Sequence, residues 1–247
     1  IHAAAGDMIT EHIVEHYEAA LRIEPDYPDA MLELAMILSS RSKDPRDQRR
    51  ALEFFEKVLM RDPNNGATLL AMARHLDFSN GGAPLQIEQL YRRAITAIDG
   101  EARLARGRPA IQPWEPRLSL ATYLEFKRED IQRAGSLYEE ACRLAPFEPE
   151  VLLALGMFRK VVHEDIDGAE AVFHKALDAD PLHGGVLVAM GDLLWMCRGE
   201  GDAAEVMYKR AANVAGKKDA TALRSYALFQ ASRNNEKAAA SLFRKAI

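Results

Sequence analysis

Val151–Phe158 reads VLLALGMF and is followed by GAEAVFHKALDADP over Gly168–Pro181; Val186–Trp195 reads VLVAMGDLLW and is followed by DAAEVMYKRAANVAG over Asp202–Gly216. The second block repeats the first. Gly156 recurs as Gly191, Ala169 as Ala204, Phe173 as Tyr208, Ala176 as Ala211 and Pro181 as Gly216, each pair 35 residues apart. A fixed period of this length marks a tandem array of one supersecondary unit. Both blocks carry apolar stripes at helical spacing and no strand-like alternation, so the unit is a pair of helices. The small residue of the first helix lets the two helices approach to about 8–10 Å, and the aromatic of the second fills the space between neighbouring pairs.

The frame extends in both directions. Counted by the aromatic of the second helix it runs Tyr17, Phe55, Tyr91, Tyr138, Phe173, Tyr208 and Phe243, at spacings of 38, 36, 47, 35, 35 and 35. Three residues after each aromatic stands Ala20, Val58, Ala94, Ala141, Ala176, Ala211 or Ala246. Eight residues after it come Pro25, Pro63, Asp99, Pro146, Pro181 and Gly216, which suit the end of a helix or a turn. The matching small residues of the first helices are Ala35, Ala73, Ala121, Gly156, Gly191 and Ala227. The chain thus predicts a lone helix around Thr10–Ile23 and then six helix pairs.

This pattern resembles the tetratricopeptide repeat, in phase over nearly the whole chain. The large aromatic expected early in the first helix is mostly missing. The runs ATYLEF (Ala121–Phe126) and SYALFQ (Ser225–Gln230) lean toward the related half-a-TPR repeats of RNA-processing scaffolds. Either resemblance implies an all-α fold, a right-handed α-solenoid of antiparallel helix pairs. Here that means one domain over 1–247, with an insertion loop over 101–116.

The resemblance also implies that the first helices line a concave face that receives a peptide or helix. One subgroup, the chaperone-tail receptors, clamps a terminal carboxylate with an asparagine directly after the small residue. Those places hold Met36, Arg74, Thr122, Met157, Asp192 and Leu228, so that clamp is absent. Frame-matched inner positions are apolar: Leu32, Leu70, Phe78, Leu118, Phe126, Leu153, Val161, Val188, Trp195 and Met196. With Met36 and Met157 they predict a groove for an apolar or amphipathic helix or segment of a protein partner.

Two places break the period. SSRSKDPRDQRR (Ser39–Arg50) is expected to lengthen the turn inside the first pair. EARLARGRPAIQPWEPR (Glu101–Arg117) adds residues between pairs, and Pro109, Pro113 and Pro116 stop a helix beyond Gly107. The expectation is a loop projecting from the array, with Trp114 as its anchor, folded back on a helix pair or entering a partner's pocket. Both stretches are basic: Arg41, Lys43, Arg46, Arg49 and Arg50 in one, Arg103, Arg106, Arg108 and Arg117 around Trp114 in the other. Arginine beside an aromatic grips phosphate and stacks on bases, which makes a ribonucleoprotein component the alternative function. Interspersed Asp44, Asp47, Glu101 and Glu115 weigh against nucleic acid as the partner.

Chemistry finds little footing. His12-Ile13-Val14-Glu15-His16 matches the H-x-x-E-H signature of inverted zinc peptidases, with both histidines on one helical face. No third ligand is evident and the fold is not a peptidase fold, so no metal or other cofactor is expected, and the chain reads as a scaffold rather than an enzyme. The net charge is −5, with 32 Lys and Arg against 37 Asp and Glu, so no global basic field draws it to nucleic acid or anionic membrane. Cys142 and Cys197, each inside a helical stripe, read as core thiols of an intracellular, cytoplasmic, reducing setting. No apolar run spans a bilayer. Ile9, Ile13 and Tyr17 at one end and Phe243 and Ala246 at the other lack a polar capping helix. Burying such side chains is worth about 1.5–3 kcal/mol each. The expectation is a piece of a longer polypeptide, or a subunit docked in an assembly.

Overall fold

A computed structural model describes residues 2–41, 44–105, 110–215 and 220–246. Among the described residues it contains thirteen α-helices and no strand. The chain divides into two compact units, 1–129 and 130–247. The first holds α1 (His2–Ile23), α2 (Pro28–Arg41), α3 (Pro45–Arg61), α4 (Gly66–Ser79), α5 (Pro84–Leu104) and α6 (Trp114–Arg128). The second holds α7 (Ile131–Leu144), α8 (Pro149–Val162), α9 (Ile166–Ala179), α10 (Gly184–Leu193), α11 (Gly201–Ala215), α12 (Ala220–Ser232) and α13 (Glu236–Lys245). A π-helical turn, Leu194–Arg198, carries α10 onward. Within the units the pairs α2/α3, α4/α5, α8/α9, α10/α11 and α12/α13 pack together, and each also meets its neighbour in sequence.

The core follows the repeat frame. Phe55, Tyr91, Tyr138, Phe173 and Tyr208 are buried, as are Ala35, Ala73, Ala121, Gly156, Gly191 and Ala227. A Cβ added at Gly156 would lie 2.4 Å from Cε1 of Phe173, and one at Gly191 2.9 Å from Cε1 of Tyr208. The glycines are therefore where a ring of the second helix crosses the backbone of the first.

The two kinds of turn are built differently. Inside a pair, a residue in the left-handed region follows the first helix: Asn80 (φ 49°), Glu164 (54°), Gly199 (72°) and Asn234 (59°); Glu129 (53°) ends α6 in the same way. Asp130 and Asp165 then cap the next helix, accepting from the backbone N–H of Arg133 and Gly168. Between pairs, α3, α7 and α9 end without a left-handed residue, and an arginine ties down the turns after α1, α3 and α9. Arg61 reaches the carbonyl of Asp26, Arg93 that of Pro63 at 2.6 Å and Arg210 that of Pro181 at 2.9 Å. Glu164 is exposed, and a side chain in the left-handed region costs about 1–2 kcal/mol that glycine does not. Glu164→Gly is expected to raise stability by about 1 kcal/mol, read as the denaturant midpoint of the second unit's unfolding.

Both period breaks are more helical than the sequence predicts. α2 runs to Arg41 and α3 opens at Pro45, so Ser39–Arg41 and Pro45–Arg50 of that stretch are helical. Asp44 caps α3 by accepting from the N–H of Arg46 at 2.8 Å, with proline at the first helical position, where its missing N–H costs nothing. The insertion is likewise absorbed by a longer α5, ending at Leu104, and by α6, which opens at Trp114; the expected loop over 101–116 shrinks to the span between them. Arg106, Gly107, Arg108 and Pro109 lie outside the described residues, as do Ser42, Lys43 and Gly216. Nor are the thiols core groups: Cys142 is half-buried and Cys197 exposed, both free. No helix among the described residues is long and apolar enough to cross a membrane.

One buried polar residue joins neighbouring pairs. His75 in α4 is 4% exposed, meets Phe55 edge-on at 5.9 Å and shares a 2.8 Å hydrogen bond with the Ser39 hydroxyl. Burial lowers its pKa from the ordinary 6.5. Because the folded-state pKa is the depressed one, the neutral ring's stability is fully present above 6.5 and is lost as pH falls through the folded-state value. Denaturant midpoints of the wild type are therefore expected to fall between pH 7.5 and 5.5. Those of His75→Gln should be lower at pH 7.5 but flatter across the range.

Candidate functional site

The first helices carry the candidate surface, and the structure sorts its predicted residues by register. Five places after the small residue stand Phe78 and Phe126 in the first unit, 82% and 69% exposed, and Val161 and Met196 in the second, 62% and 66% exposed. Three places before it the side chains are covered: Leu70 is in the core at 1% exposure, and Leu32, Leu118, Leu153 and Val188 are half-buried. Val188 packs on Leu187, Ala211 and Ala222. Directly after the small residue, Met36 is 45% exposed and Met157 half-buried. Trp195 is half-buried, its ring edge-on to Phe229 at 5.5 Å, and lines a cavity of about 620 Å³ with Arg233, Gly199, Glu200 and the start of α11.

The first unit holds a groove of about 680 Å³ between α4 and α6, lined by Arg74, Asp77, Phe78, Tyr91, Leu118, Ser119, Thr122 and Lys127. Tyr91 rises into it from α5. Its hydroxyl donates to Asp77 at 3.3 Å, and burial beside that carboxylate pushes the phenol far above its usual range. Burial also raises Asp77, partly offset by the Tyr91 hydrogen bond and the Lys127 charge. Two cations cross the groove to neutral acceptors. Arg74 donates from Nε and Nη2 to the Ser119 hydroxyl at 3.1 and 2.9 Å, and Lys127 donates to Asn80 Oδ1 at 2.9 Å. The sequence frame had singled out Arg74 only as a place without asparagine, and Lys127 not at all. Its signal was there: Lys127 directly follows Phe126 in the exposed register.

The basic loops are partly occupied with structure. Arg117, 6% exposed, donates from Nη1 and Nη2 to both oxygens of Asp99 at 2.9 and 2.7 Å, and from Nη1 to the Pro113 carbonyl at 2.7 Å. It is an internal strut of the first unit. Tyr123 adds a second tie by donating to the Pro84 carbonyl at 3.0 Å. Arg50 pairs with Glu18 at 2.7 Å, and Arg49 donates to its own helix. Arg103 is exposed and Trp114 half-buried at the start of α6. On α1, His12 and Glu15 lie 3.2 Å apart and the His12 and His16 rings stack at 5.7 Å. Among the described residues no three His, Cys, Asp or Glu side chains converge on a metal position.

No family model matches the chain, and no curated protein matches it. Solved structures do. Yeast Tom70 is similar at 17% identity and a TM-score of 0.71 over 94% of this chain, which spans 45% of that one. A tetratricopeptide repeat protein of Parabacteroides merdae is similar at 15% identity and a TM-score of 0.67, covering 94% of this chain and 84% of that one. YrrB, a TPR protein with an unusual peptide-binding site, is similar at 18% identity and a TM-score of 0.51, over 85% and 97% of the two chains. What is shared at these identities is the fold.

Proposed function

We propose that this chain, an all-α array with the tetratricopeptide-repeat fold, is a non-catalytic scaffold that grips apolar or amphipathic segments of other proteins along its first helices. The observation that carries this reading is the register of Phe78 and Phe126, and of Val161 and Met196. These are large apolar side chains left exposed at one repeated position of helices whose other large apolar side chains are buried or half-buried. Side chains placed in this way act as anchors for a partner, since exposed apolar area concentrated on one face marks interaction sites. YrrB, of the same fold, has a peptide-binding site, which supports the choice of a polypeptide as ligand. The strut role of Arg117 and the pairing of Arg50 leave the nucleic-acid alternative with less to stand on.

The test is partner capture by Phe78→Ala/Phe126→Ala and, separately, by Met196→Ser. These side chains are exposed, so circular dichroism and melting temperature should stay near wild type. Affinity for partners held by the wild-type chain should fall about ten-fold or more, the loss typical of removing anchor residues. Unchanged capture by both variants would refute the first-helix assignment.

A further inference from the structure

We propose that the groove between α4 and α6 selects a polypeptide segment bearing two side-chain carboxylates, one on each side of an apolar residue. This deepens the reading above and rests on it. Arg74 and Lys127 carry positive charge into the groove from opposite walls, and their hydrogen-bond partners there, Ser119 and Asn80, are neutral. The carboxylate lining the groove, Asp77, is engaged by the Tyr91 hydroxyl at its floor. The groove therefore presents two cations against one internally bonded acid, with Phe78, 82% exposed, between Arg74 and Asn80, the acceptor of Lys127, in sequence.

The spacing limits what fits. At 1.5 Å per residue, Arg74 and Asn80 are separated by about 9 Å along α4, and Ser119 and Lys127 by about 12 Å along α6. The two cationic bridges thus stand about 10 Å apart. Carboxylates match that distance when they are about seven residues apart on a docked helix, or about three apart in an extended segment. The residue between them would rest on Phe78 and Leu118. An incoming carboxylate replaces a neutral hydroxyl or amide as the acceptor of Arg74 or Lys127, and charge-assisted hydrogen bonds are the stronger kind.

The full chain, immobilised, selects from random segments displayed as amino-terminal fusions, so that no library member ends in a free carboxylate. Enriched segments are expected to carry paired Asp or Glu flanking an apolar residue. Their affinity should drop about ten-fold on Arg74→Gln/Lys127→Gln and weaken with added salt. Arg74→Glu/Lys127→Glu should instead prefer the same segments with their acids changed to lysine, which separates recognition from damage to the fold. Enrichment without acids, or binding indifferent to both paired variants but lost on Phe78→Ala, would overturn the carboxylate rule and leave the groove reading standing. Binding indifferent to Phe78→Ala as well, or no enrichment at all, would overturn both.

Discussion

Gly156→Ala is expected to destabilise the second unit, against the usual sign for glycine inside a helix. In an unobstructed helix the change stabilises by about 1 kcal/mol, because alanine has less backbone freedom to lose. At Gly156 the added Cβ would sit 2.4, 2.8 and 3.0 Å from Cε1, Cδ1 and Cζ of Phe173, a ring with no exposed surface. The ring has to move within an interior packed like a crystal, and overpacking of this kind costs about 1–3 kcal/mol. The net expectation is a loss of about 1–2 kcal/mol for Gly156→Ala and more for Gly156→Val, measured by chemical denaturation. Gly191→Ala should show a milder loss, its nearest ring atom being 2.9 Å away. Gly100→Ala, whose Cβ would meet nothing within 4 Å, should show the ordinary gain. Pairing Gly156→Ala with Phe173→Leu should recover part of the loss, a coupling that two independent sites would lack. A stabilised Gly156→Ala would mean that the pair α8/α9 is looser than it stands here.

The second large effect belongs to Arg117. Arg117→Met is expected to cost about 3 kcal/mol, the lower end of the range for removing one member of a buried ion pair, since Asp99 keeps 24% of its side chain exposed. The loss arises from leaving Asp99 partly buried without its bidentate partner, so Arg117→Met/Asp99→Asn should be clearly less harmful than the sum of the single changes. Hydrogen exchange should rise in the last turns of α5 and the first of α6 before it rises elsewhere. A variant with normal stability and weakened binding to single-stranded RNA would return Arg117 to the role its neighbours in sequence suggest.

The array itself was legible because its signal is redundant. A small residue, an aromatic, an alanine and a turn residue recur together, so each position is checked by its counterpart one period away. The misreadings fall where a single residue had to decide. Ser39–Arg50 looks like a loop by charge, yet Asp44-Pro45 is a helix start. Arg117 is one arginine among several in its stretch. Its partner stands 18 residues back on another helix, and that meeting depends on the direction in which α6 returns. Leu70 and Phe78 were assigned to one surface, but eight residues of helix turn through about 80° beyond two full revolutions. One therefore points into the core and the other to solvent. Lys127 has basic counterparts in its register only at Arg41 and Arg233, against Ser79, Val162 and Cys197 elsewhere, too irregular a recurrence for periodicity to raise it.

The tie between Asp99 and Arg117, with Tyr123 on the Pro84 carbonyl, has an evolutionary corollary. It sets the phase of α6 from side chains at the base of the connection, not from the number of residues strung between Leu104 and Trp114. Length drift ahead of Gln112 is therefore expected to leave α6 in its place on α5. An insertion at that point should be tolerated, and an engineer could graft a foreign epitope there while α6 keeps its seat on α5.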